Sequence, residues 1–188
     1  MTRHAHYIPH SVIPAVLLPF NEDLSIDERS FRSHLRDVAS TKGLSAITVN
    51  AHSTEVASCT FEEQRRVMEI AADEVGDRLP VVHGVWADGS LEAARIARAA
   101  AAGGASALLV FPPGPFTLGQ NAEMAIAHFK RVAEAAPDLA IIAFQYPLAT
   151  GQGYPPETLL KLLEAVPQIR AIKDWTNNVA LHEWQVRT

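Results

Sequence analysis

The chain predicts a parallel α/β fold. Short apolar runs alternate with longer amphipathic stretches. The alternation repeats at roughly 30 residues, the length of one strand–helix unit. Runs such as 107–111 are apolar without a break, which suits a sheet buried on both faces.

Residues 12–18 read as a first strand. Residues 27–41 read as a helix, with Ser25 or Asp27 as candidate caps and Gly43 as its stop. A second strand covers 44–50. The helix over 60–75 opens with a capping box, Thr60 as N-cap and Glu63 three residues on. Residues 79–85 form a third strand, and 90–102 an alanine-rich helix ended by Gly103 and Gly104. The fourth strand is 107–111 and the fourth helix 121–135. The fifth strand is 139–144. The fifth helix, 155–165, starts with prolines, where a missing N–H does no harm. Residues 169–173 form a sixth strand and 178–187 the opening of a sixth helix. Six such units fit either an open doubly wound sheet or three-quarters of an eight-fold barrel, which takes ~250 residues when complete. No Gly-rich phosphate loop follows the first strand, which weighs against a nucleotide-binding open sheet.

The 188 residues suit one domain or most of one, and 48% hydrophobic against 20% charged residues can bury a core. Net charge is -5 with no basic face, which argues against nucleic acid. The single cysteine, Cys59, allows no internal disulfide and fits a reducing compartment. The eight histidines show no metal-ligand spacing, and nothing points to a metal, nucleotide or other cofactor. His4, His6 and His10 fall in residues 1–11, which read as a flexible lead-in. No run reaches the ~18 apolar residues of a membrane span, and no signal pattern opens the chain, so a cytoplasmic protein is expected.

Function in parallel α/β proteins collects at the C-terminal ends of strands. The sixth predicted strand ends at Lys173, one of only four lysines. Apolar surroundings favour a neutral amine, which can attack a carbonyl carbon and form a Schiff base. The bland alternative is a lysine that snorkels outward and pairs with a carboxylate. The second strand leads into Ala51-His52-Ser53-Thr54-Glu55, able to hold a carboxylate or relay a proton, or simply to cap the next helix. The third ends at His83, which is expected to pack against a backbone partner. The loop 111–116 is stiff and reads as a wall. The fifth strand leads into Gln145-Tyr146-Pro147 and then Thr150. Trp86 and Trp175 are candidate pocket walls. Cys59 lacks a histidine partner and reads as structural.

Four segments stand in order along the chain: Val12-Ile13-Pro14-Ala15-Val16-Leu17-Leu18-Pro19-Phe20, Thr60-Phe61-Glu62-Glu63-Gln64-Arg65, Pro80-Val81-Val82-His83-Gly84 and Ile172-Lys173-Asp174. Together they resemble the dihydrodipicolinate synthase/N-acetylneuraminate lyase family of class I aldolases. The resemblance covers nearly the whole chain in the right order. It implies a (β/α)8 TIM-barrel type, of which about six βα units are present here, with Lys173 as the Schiff-base lysine. Family members carry two more barrel units and a C-terminal helical region, so an incomplete single barrel domain over 1–188 is expected, with open edges at its first and sixth strands.

The departures matter as much. Where the family has Gly-Thr-Thr-Gly-Glu, this chain has Ala51-His52-Ser53-Thr54-Glu55. Where it has Tyr-Asn-x-Pro, this chain has Phe144-Gln145-Tyr146-Pro147, so the expected catalytic tyrosine is a phenylalanine. Tyr146 lies two residues on, the same side of a strand. The arginine that dihydrodipicolinate synthases place after that proline is Ala149. True dihydrodipicolinate synthase activity is therefore not expected. The reading is a lyase of the Schiff-base aldolase or dehydratase type acting on a 2-oxo acid, pyruvate or a sugar-derived keto acid, with an aldehyde as second partner. Lys173, His52 and Tyr146 are the catalytic candidates; Ser53, Thr54, Phe144 and Thr150 are the substrate-binding candidates. A homo-oligomer is expected if the full barrel forms. The rival reading is a non-catalytic barrel scaffold that binds or regulates, or an inactive fragment.

Overall fold

A computed structural model describes residues 4–188. Its strands are β1 (Ile47–Val49), β2 (Val81–Val85), β3 (Ala107–Val110), β4 (Ala140–Gln145) and β5 (Ile169–Asp174). Its helices are α1 (Glu28–Ser40), α2 (Phe61–Val75), α3 (Ser90–Ala102), α4 (Ala122–Ala135), α5 (Pro156–Ala165) and α6 (Val179–Arg187). All strand pairs are parallel, and the sheet runs β1-β2-β3-β4-β5 in chain order. A doubly wound sheet would reverse its order at a switch point. Neighbours in strict sequence are what a (β/α)8 barrel requires, and this is a TIM-barrel sheet with five regular strands.

The first predicted strand is not a regular one. Residues 12–18 meet the β1 side of the sheet through two parallel bridges, Val12 to Leu44 and Ala15 to Thr48. Pro14 accepts from the Thr48 N–H at 2.8 Å but has no N–H to return, so the ladder is interrupted. The segment still fills a strand's place, because Val16 and Leu18 are buried in the core. Farther upstream, His4 Nε2 lies 2.9 Å from the Gly76 carbonyl and the Tyr7 hydroxyl 3.1 Å from Ser45 Oγ. Residues 1–3 of the expected lead-in lie outside the described residues.

Helix boundaries follow from caps. Asp27 accepts from Ser30 N at 3.0 Å, and Asn121 from Met124 N at 2.9 Å. Thr60 and Glu63 form the full capping box, each side chain meeting the other's backbone N–H. No helix among the described residues is long and apolar enough to cross a membrane.

The strands separate two cores. Val81, Val85, Leu108, Val110, Ile141 and Ala143 face the helices. Val82, Ala107, Leu109, Ile142 and Phe144 face the barrel interior. This is the period-2 alternation of a strand read on two buried faces. In β5 the alternation is reset. Ile141 pairs with Ile169 but Ile142 pairs with Ala171, so Arg170 is an extra residue, a β-bulge. Beyond the bulge, Ala171 packs on the inner core and Ile172 on the outer one. Lys173 is brought opposite Phe144, on the inner face. Unregistered, it would have pointed at the helices.

Two histidines sit in the outer layer. His83 is paired with the Asn50 amide at 3.2 Å, and His128 with Ser90 Oγ at 3.1 Å. Desolvation pushes both imidazoles down to about 4. Below pH ~6.5 the unfolded chain takes up protons that the folded chain refuses until about 4. Stability is therefore expected to fall as pH drops through that window, by about 3 kcal/mol for each histidine. Urea midpoints that hold constant between pH 7 and pH 4.5 would contradict this.

Candidate active site

The site lies at the C-terminal ends of the strands. β1 exits through Asn50, which takes a left-handed conformation, φ 53°. Asparagine tolerates this better than most residues. Its amide is fully buried and donates to the Gln64 carbonyl at 2.9 Å. The turn that follows, His52–Thr54, is a short 3-10 helix that carries His52 over the barrel mouth. Gly84, on β2, leaves room for this turn: a Cβ there would lie 1.8 Å from the Asn50 carbonyl oxygen and 3.2 Å from the Phe111 ring. Gly84→Ala is expected to destabilise the fold by about 1–3 kcal/mol and to push the His52 turn out of place. A wild-type denaturation midpoint in that variant would refute the tight fit.

β4 supplies Phe144 on its inner face and then Tyr146 just past its end. Their rings meet edge to face at 4.8 Å. Tyr146 is held by Gln145 beneath it. The Gln145 side chain is fully buried, donates to the Tyr154 carbonyl at 2.9 Å and accepts from the Tyr154 N–H at 3.0 Å. Gln145 thereby closes the loop 146–154. The Tyr146 hydroxyl is hydrogen-bonded to His52 Nε2. Burial pushes the phenol up to about 12. Burial, and then the charge of Lys173, holds the His52 imidazole below its ordinary value. Both shifts favour one arrangement, a neutral phenol donating to a neutral imidazole.

Lys173 Nζ stands 3.6 Å from the centroid of the Phe144 ring. Its partial burial lowers its pKa. β5 is less buried than the other strands, because it is an edge of the described sheet, and Lys173 keeps an exposed side chain. The neighbouring Asp174 turns the other way. Burial raises its carboxyl, but hydrogen bonds from Thr176 and His182 outweigh this and hold it low. His182 Nε2 is 2.8 Å from Asp174 Oδ1.

His52, Phe144, Tyr146 and Lys173 thus converge on one open cleft of about 590 Å³, with Trp86 and Trp175 on its rim. Ser53 sits half-buried on the His52 turn. Two substrate-binding candidates are not brought there. Thr54 is fully buried and donates to the Val16 carbonyl at 2.8 Å, tying the turn to residues 12–18. Thr150 is on the surface and donates to the Pro147 carbonyl at 2.7 Å, closing its own turn. His83 faces the helices, and its partner is a side chain, not the backbone group expected. Cys59 is half-buried, with burial and the nearby Glu63 and Glu55 pushing its thiol up to about 11, consistent with an unreactive group. Sequence reasoning missed Gln145 and Asp88. Gln145 had a signal, an uncharged polar residue at the end of an apolar strand. Asp88, whose Oδ1 accepts from Gly114 N at 3.0 Å, had none.

A sheet in barrel order with a lysine turned into its mouth defines a lysine-bearing barrel of the TIM type. The chain belongs to the dihydrodipicolinate synthetase family, which it matches over residues 9–188. It is 34% identical over 168 residues to the 4-hydroxy-tetrahydrodipicolinate synthase of Salinibacter ruber, covering 89% of this chain and 54% of that protein. The dihydrodipicolinate synthase of Aquifex aeolicus superposes with a TM-score of 0.86 at 26% identity, over 95% of this chain and 59% of the other. A sialic acid aldolase of Ruminococcus gnavus, 18% identical, shares the fold with a TM-score of 0.84 over 99% of this chain and 59% of its own. The chain spans about half the length of the curated relatives it matches.

Proposed function

We propose that this barrel is that of a Schiff-base lyase of the aldolase or dehydratase type, acting on a 2-oxo acid through an imine of Lys173. The observation that carries the reading is Lys173 itself: the bulge at Arg170 aims it into the mouth, where its amine stands 3.6 Å from the Phe144 ring centroid. A lysine with a lowered pKa holds more free amine at neutral pH, the form that attacks a carbonyl carbon. The amine adds to C2 of pyruvate or a sugar-derived keto acid. The carbinolamine then loses water to give the imine. The Phe144 ring face supports the cationic iminium by its quadrupole. The Tyr146 phenol protonates the departing hydroxyl, and His52 takes up and returns the proton. Ser53 and the N–H groups that open its turn are left to hold the substrate carboxylate. The partners on this reading are the 2-oxo acid and an aldehyde, in a homo-oligomer once the barrel is whole.

A binding scaffold without catalysis is the second reading. The missing hydroxyl at Phe144 and the exposure of Lys173 favour it. Incubation with pyruvate and borohydride separates the two. The expected result is one pyruvate-sized adduct, mapped by peptide mass to Lys173. A folded chain that gives no adduct would leave the scaffold reading standing.

A further inference from the structure

Resting on the Schiff-base reading, we infer that the second substrate is an uncharged aldehyde carrying an aromatic ring. The cleft around Lys173 is walled by rings. Trp86 follows β2 and is 37% exposed; Trp175 follows β5 and is 50% exposed. Tyr146 meets Trp175 edge to face, with centroids 5.4 Å apart and planes at 88°. His52 is 6.1 Å from the same indole. Large indoles presented to a cleft are suited to stack on a flat apolar ligand.

The charges point the same way. Lys173 is the one cationic side chain among the described residues that line the cleft, and its nitrogen is used by the imine. The other charged groups there are Asp88 and Asp174. Asp88 is exposed, whereas Asp174 has Oδ1 bonded to Thr176 and His182 and its Oδ2 buried, so it acts on the cleft only through its charge. An aldehyde bearing a carboxylate or phosphate would meet the exposed Asp88 carboxylate and the negative field of Asp174, with no counter-charge among the described residues that line the cleft. A polyhydroxylated aldehyde fares little better. Asp88 Oδ1 is taken by Gly114 N at 3.0 Å, and Gln152 Nε2 faces the Pro112 and Pro113 carbonyls at 3.4 Å. Few polar groups remain to replace the hydration of several hydroxyls.

The reaction balances without redox change. The pyruvate imine on Lys173 loses a C3 proton to give the enamine. C3 then bonds to the aldehyde carbon, and the carbonyl oxygen of the aldehyde takes up a proton. Water hydrolyses the imine, frees Lys173, and releases a 4-aryl-4-hydroxy-2-oxo acid. The reverse direction cleaves the same bond.

The test supplies the full chain with pyruvate and one of three aldehydes: benzaldehyde, succinic semialdehyde or glyceraldehyde. Products are read by mass spectrometry. Benzaldehyde is expected to give a kcat/KM at least about 10-fold above either rival, the size of a well-formed ring contact. Trp175→Ala is expected to lower that preference about 10-fold, and Asp88→Asn to raise the use of succinic semialdehyde. A chain that traps pyruvate yet uses succinic semialdehyde or glyceraldehyde as well as benzaldehyde, or uses no benzaldehyde, overturns the inference and leaves the Schiff-base reading intact. If pyruvate is not trapped, that reading fails. The ring site is then judged by benzyl alcohol binding to the Lys173→Ala chain. Saturable quenching of tryptophan fluorescence, weakened by Trp175→Ala, supports it; no saturable quenching overturns it.

Discussion

Lys173→Ala is expected to abolish the pyruvate adduct and to lower turnover by on the order of 10⁴–10⁶, the scale seen when an enzyme loses its nucleophile. The fold should survive, because the side chain is exposed and lies at the end of an edge strand. Lys173→Arg sharpens the test. Arginine keeps a cation near the Phe144 ring but stays protonated at any usable pH, so it cannot form the imine. Both variants should keep the wild-type circular dichroism spectrum and lose the adduct. The remaining lysines, Lys42, Lys130 and Lys161, are all exposed. An adduct that persists on any of them would remove Lys173 from the mechanism.

Breaking the His52–Tyr146 pair is expected to have the next largest effect. Tyr146→Phe removes the phenol and leaves its ring contact with Phe144. His52→Gln removes the proton acceptor. Each should cut turnover by ~10²–10⁴ while borohydride still traps pyruvate on Lys173. The pH profile separates a proton carrier from a packing residue. His52 titrates below its ordinary value, so its protonation, and the acid limb of kcat, should fall below pH ~6.5. His52→Gln should flatten that limb, whereas a merely structural role would lower kcat at every pH alike. Phe144→Tyr in the Tyr146→Phe background is a further check. It sets a phenol on the register partner of Lys173 and should restore part of the lost turnover. Normal turnover in both single variants would take the pair out of the chemistry.

Helix ends were the most legible part of the sequence. Asp27, Thr60 and Asn121 announce themselves because a capping side chain satisfies an N–H within three residues, so the information is local. Strand order was not legible. The same alternation of runs fits an open sheet or a barrel, and only the pairings decide. Pro14 carried a warning against a regular first strand, since proline within a run removes a ladder donor. At the site, Tyr146 could be placed beside Phe144 because strand alternation reaches two residues on. The hydroxyls could not be sorted. Ser53 and Thr54 are adjacent, and the 3-10 turn leaves one half-buried and sends the other into the core. Thr150 is spent on a turn that no periodicity reveals. The aromatic walls Trp86 and Trp175 were readable as strand-end residues, but the acidic character of the cleft emerges only when Asp88 and Asp174 come together across the sheet.

The bulge in β5 stores the orientation of Lys173 as a choice of pairing. Were Arg170 paired opposite Ile142 like an ordinary strand residue, Ile172-Lys173-Asp174 would be unchanged letter for letter, yet the whole triplet would be rotated by half a pleat. The lysine would be sealed against the helices and Asp174 would look into the barrel. Two sequences identical in every motif could thus differ in which compartment holds the amine. Within this architecture the break in pairing between Ile169 and Ala171 is as much a part of the chemistry as the lysine, and the register there is a stricter criterion than the letters.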